Sequence, residues 1–104
     1  MAVIEWLKFR VAAEERERFI QKDEEIWTET LAKYPGFLGK EVWLSPQPED
    51  VIFVIRWRTK EEWYAIPTDI LQETEQRFAI AFARSYDLIE EGEYQVRKFL
   101  HNGE

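Results

Sequence analysis

The segment Tyr34-Pro35-Gly36-Phe37 constrains this chain more than any other. Before it lies a long stretch with helical periodicity; after it the pattern becomes extended at once. Proline disfavours helical geometry in the residue before it, and glycine permits positive φ, so the helix must stop here. The stop divides the chain into strand–helix–strand followed by strand–helix–strand, which is the ferredoxin-like plan: a sheet of about four antiparallel strands with helices on one face.

The elements on either side support that division. Val3 to Val11 alternates as a strand, with Val3, Glu5, Leu7, Phe9 and Val11 on one face. Ala12 to Tyr34 predicts a helix whose apolar arc, at about 100° per residue, carries Phe19, Ile20, Ile26, Trp27, Leu31 and Tyr34. Phe37 to Leu44 predicts a second strand, joined by the turn-forming loop Ser45–Asp50 to a third at Val51 to Trp57. That third strand is almost wholly β-branched and aromatic, so it reads as central in the sheet. Thr59-Lys60-Glu61-Glu62 has the form of a capping box and opens a short helix, which Pro67 breaks. A second helix is predicted from Thr68 or Asp69 to about Tyr86, with Leu71, Thr74, Phe78, Phe82 and Ser85 inward. Asp87 to Glu93 reads as a connector and Tyr94 to Leu100 as the last strand. The expectation is one α+β domain over residues 1–100 and a frayed tail at 101–104.

A sheet with helices on one face leaves the other bare. Aromatics make up 15% of the chain, more than one small core readily hides, so a homodimer through the sheet face is expected. The net charge of −7 disfavours nonspecific contact with nucleic acid or anionic lipid. Cysteine is absent, which removes disulfides and thiolate chemistry. With no apolar run near the ~20 residues of a membrane span and no signal-peptide pattern, a cytoplasmic location is expected. There is no Gly-rich phosphate loop, GxSxG elbow or HExxH, and one histidine cannot build a nitrogen-ligand metal site.

The candidate chemistry centres on Asp23, which falls inside the apolar arc of the first helix, between Phe19, Ile20, Ile26 and Trp27. A carboxylate on a core-facing stripe must be paired, hydrogen-bonded or protonated. It is then either a structural tie or a pocket acid–base group. Trp27 and Trp63 are the candidate pocket walls. Arg56, on the third strand with Arg58, is the candidate binder of an anionic ligand; the alternative is an ion-paired sheet surface that includes Glu5 and Glu41.

The helix ending in Tyr34-Pro35-Gly36-Phe37-Leu38-Gly39, the hairpin through Val51–Ile55 and the run Arg56 to Trp63 resemble dimeric α/β-barrel proteins of the antibiotic-biosynthesis-monooxygenase type. The opening Ile4-Glu5-Trp6-Leu7 and the segment Ile26-Trp27-Thr28 are similar to a branch found mainly in cyanobacteria. The resemblance implies sheets paired into a dimeric barrel and no cofactor. Its activity would be cofactor-independent oxygenation, or isomerisation, of a small aromatic or polyketide-like molecule; the alternative is ligand binding without chemistry. Haem-degrading members carry an asparagine on the first strand and a tryptophan and a histidine near the second helix. Here the first strand lacks Asn, the only histidine is His101 in the tail, and Gln76 and Arg77 stand about where the ligand would be. Haem degradation by that constellation is not expected.

Overall fold

The computed structural model describes residues 1–102. Strand β1 spans Val3–Val11, β2 Phe37–Trp43, β3 Asp50–Trp57 and β4 Tyr86–Gln95, in the sheet order β2-β3-β1-β4 with every pair antiparallel. Helix α1 covers residues 13–31: a 3₁₀ turn, an α-helical segment Arg16–Asp23, a π-turn Glu24–Thr28 and a final α turn Glu29–Leu31. Helix α2 is Lys60–Tyr64 and α3 is Thr68–Phe82. This is the expected ferredoxin-like α+β fold, with β3 central and β2–β3 a hairpin.

The Thr59 cap forms as read, and Glu62 reaches back to the Thr59 hydroxyl. Thr59 Oγ1 accepts from the Glu62 amide at 3.0 Å and donates to Glu62 Oε1 at 3.2 Å. Gly36 is required for a different reason from the one expected. Its φ lies outside the left-handed region, but a Cβ there would sit 2.5 Å from the Glu62 Cβ. The close approach lets Gly36 O accept from the Arg58 amide at 2.8 Å, which ties the hinge to the start of α2.

The C-terminal third departs from the sequence reading. Helix α3 ends at Phe82 rather than near Tyr86, because Ala83 takes a left-handed conformation (φ 58°). Ser85 is therefore exposed and off the helix. The last strand begins at Tyr86, not Tyr94, and the expected connector is strand. Its acids hid it: β4 is an edge strand, where charged side chains are tolerated and discourage unwanted pairing. His101 and Asn102 are exposed, and the remainder of the expected tail lies outside the described residues.

The core lies between the sheet and the helices in two clusters. One is built of Val11, Phe19, Val51, Phe53, Phe78 and Phe82; the other of Leu31, Ile55, Trp57 and Ile66. Leu7 and Trp27 pack against both. On the opposite, helix-free face, pleat and register gather Ile4, Trp6, Ile52, Val54, Trp43 and Tyr94.

Candidate active site

Between the two core clusters lies a cavity of about 240 Å³. That is slightly below the ~300 Å³ at which small-molecule pockets usually begin. Its walls are mainly apolar: Trp57, Trp63, Ile66 and Leu71 at one end, Phe19, Phe53 and Phe78 at the other, with Trp27 between. Trp57 and Trp63 stack in parallel, 6.3 Å between centroids and 2° between planes. Helix and strand periodicity deliver these side chains: Phe53, Ile55 and Trp57 alternate inward from β3, and Phe19, Asp23 and Trp27 project from one side of α1.

Asp23, Lys40 and Glu5 are sunk into this apolar surround, and Glu75 and Tyr86 also line it. Lys40 Nζ hydrogen-bonds Asp23 Oδ2, and both side chains are almost wholly excluded from solvent, at 5% and 7% exposure. The same ammonium lies 4.3 Å from the centre of the Phe53 ring, a cation–π contact. Glu5 accepts from Trp57 Nε1 at 3.1 Å. Burial holds the Asp23 carboxyl above its ordinary value of 3.8, with Lys40 and the Thr28 side chain opposing. Burial likewise raises Glu5 above 4.5, opposed by the Trp57 bond and by Lys40. Desolvation thus outweighs the salt bridge at Asp23.

The local backbone explains why Asp23 stands where it does. The π-turn begins directly after it and inserts one extra residue into the helix, so α1 is re-phased between Asp23 and Leu31. Trp27, inside the π-turn, reaches across to α3 and donates from Nε1 to Glu75 Oε1 at 3.3 Å. The other Glu75 oxygen accepts from the Tyr86 hydroxyl, and burial followed by this bond raises the Tyr86 pKa. Glu75 so bridges α1 to the start of β4 at the cavity's edge. Arg77 is elsewhere occupied: its Nη2 donates to Thr30 Oγ1 at 3.0 Å.

Of the residues singled out from the sequence, Asp23, Trp27 and Trp63 meet around this cavity. Arg56 does not. It alternates outward between Ile55 and Trp57 and pairs with Ile4 and Gly39 on the helix-free face. The cation inside is Lys40, which sequence reasoning missed. A β-bulge between Phe37 and Gly39 shifts the register of β2, so that Lys40 pairs with Ile55 and points inward. Without the bulge, simple alternation from Phe37 would turn it outward. The signal was Gly39, since glycine inside a strand often marks a bulge. Among the described residues, no group of three or more His, Cys, Asp or Glu is disposed to hold a metal ion.

The chain belongs to the antibiotic biosynthesis monooxygenase family, whose model matches residues 2–66. No curated protein matches it by sequence. Solved structures share its fold at low identity. A monooxygenase from Streptomyces coelicolor, in complex with nanaomycin D, is 13% identical with a TM-score of 0.76, covering 98% of this chain and 93% of its own. A cofactor-independent oxygenase from Streptomyces nogalater is 16% identical with a TM-score of 0.65, covering 97% and 98%. A conserved protein from Methanosarcina mazei is 20% identical, also at 0.65, covering 91% and 92%.

Proposed function

We propose that this family member binds a small aromatic molecule in the cavity between helices and sheet, and oxygenates it without a cofactor. The observation that carries the reading is the Asp23 carboxyl, raised by burial, beside the Lys40 ammonium in a cavity walled by tryptophan. A carboxylate of raised pKa is a stronger base toward a bound carbon or oxygen acid, and the adjacent ammonium stabilises the anion formed. An electron-rich aromatic anion reacts with dioxygen directly. A substrate CH₂ becomes C=O and the second oxygen atom leaves as water, so dioxygen is the one co-reactant. Trp27 and Trp63 form walls against which the ring stacks. Arg56, on the outer face, has no part in this chemistry.

The helix-free face supports a second element of the reading, pairing with another copy of the chain. Ile4, Trp6, Ile52, Val54 and Trp43 form an apolar surface there that a partner sheet covers. Sedimentation at micromolar concentration tests this: a dimer is expected, and a stable monomer refutes it.

Native mass spectrometry of protein purified from its own host identifies any retained molecule. An oxygen electrode then measures turnover of that molecule by wild type and by Asp23→Asn. Oxygen uptake by wild type that falls about 100-fold or more in Asp23→Asn supports the base. A retained molecule released unchanged, with no oxygen uptake, favours ligand binding without chemistry, the reading that the closed Asp23–Lys40 pair would itself support.

A further inference from the structure

The charges in the cavity do not balance. Lys40 is committed to Asp23, and that pair is neutral when both are ionised. Among the described residues Glu5 is then left without a salt-bridge partner of its own, although the Lys40 charge also acts on it. One of its oxygens accepts from Trp57 Nε1. Its other oxygen has no hydrogen-bond donor among the described residues and is not fully occluded, and Glu5 lines the cavity. On β4, register places Glu93, itself paired with Lys60 Nζ at 3.1 Å, opposite Glu5 and Glu91 opposite Leu7; the Glu91 charge acts on Glu5 in the same direction as burial does. The cavity that Glu5 lines is walled by Trp57, Trp63 and Trp27, aromatic rings whose faces favour a cation.

We infer that Glu5 is the ligand-anchoring residue of this cavity, and that it selects an aromatic ligand with a hydrogen-bond-donating head, an ammonium or a hydroxyl, over one with a carboxylate. This rests on the reading of the cavity as a ligand site and deepens it. A cationic head restores neutrality beside Glu5, a hydroxyl satisfies its free oxygen, and a carboxylate adds a second buried negative charge while Lys40 is already paired with an ionised Asp23. The preference is opposite to the anionic ligand that Arg56 implied when only the sequence was in view.

Calorimetric titration of the intact protein at pH 7 with three probes of one ring system tests the inference: 1-naphthylmethylamine, 1-naphthalenemethanol and 1-naphthoic acid. The amine and the alcohol are expected to bind at least about tenfold more tightly than the acid. In Glu5→Gln the advantage of the amine over the acid is expected to collapse toward unity, and in Glu5→Asp to persist in part. If all three bind with equal affinity, or the acid binds best, the selectivity is wrong while the cavity reading stands. If none binds, the cavity reading itself fails and takes this inference with it. The wild-type ranking alone decides the point should either variant fail to fold.

Discussion

Asp23 and Asp50 are both almost completely buried, at 5% and 3% exposure, yet only Asp23 lines the cavity between helices and sheet. Asp50 opens β3 and sits against Lys8 Nζ at 3.6 Å and Arg10 Nε at 3.5 Å. Those two cations remain partly in water, at 28% and 58% exposure, and Asp50 does not line the cavity that Asp23 faces. Asp23 has one cation, as deeply buried as itself, and faces open volume between tryptophan walls. Burial of an acid is therefore a poor marker of function. A solvent-screened partner fixes a strand end; burial of both partners at a cavity leaves the carboxyl pKa raised, which the proposed base role requires.

The largest expected break in that comparison comes from the cations. Lys40→Met strands a buried carboxylate, and a loss of about 3–5 kcal/mol is expected at pH 7 by urea denaturation. Lys8→Met, beside a pair open to water and with Arg10 still present, is expected to lose about 1 kcal/mol or less. Equal losses would erase the distinction. The Lys40→Met loss should also shrink as pH falls and Asp23 becomes neutral.

A smaller effect is the pH dependence of stability. Both Asp23 and Glu5 have folded-state pKa values above their ordinary 3.8 and 4.5, so in that window the native state binds more protons than the unfolded one. Their contribution to stability is full below those ordinary values and is lost as pH rises through the raised ones. Wild type should therefore lose stability from these groups on going from about pH 4 toward neutrality, and Glu5→Gln/Asp23→Asn should remove that component. An unchanged profile in the double variant would contradict the assigned burial effect. The smallest change serves as a baseline away from both acids: Thr59→Ala removes the α2 cap and is expected to cost about 1 kcal/mol, with oxygen uptake and ligand ranking unaltered.

Much of this was legible in the chain because the signals were local. Period-2 alternation placed β1 from Val3 to Val11, Thr59 and Glu62 announced the cap, and the helix wheel put Asp23 and Trp27 on the core side. The failures came where neighbours rather than local pattern decide. The Gly39 bulge turned Lys40 inward and left Arg56 as the apparent anion binder. Glu5, on the apolar face of β1, read as part of an ion-paired sheet surface, and only the packed Trp57 indole and the cavity beside it show it to be a cavity acid. The acidic run in β4 masked an edge strand, and the left-handed turn at Ala83 has no marker in a stretch without glycine.

The central claim is that burial, not the salt bridge, governs Asp23. Carbon-13 NMR titration of its carboxyl, in wild type and in Lys40→Met, measures this directly. The account predicts a wild-type midpoint above 3.8, moving higher still once the lysine is removed. A wild-type midpoint at or below 3.8 would show that Lys40 wins and that Asp23 is a structural tie.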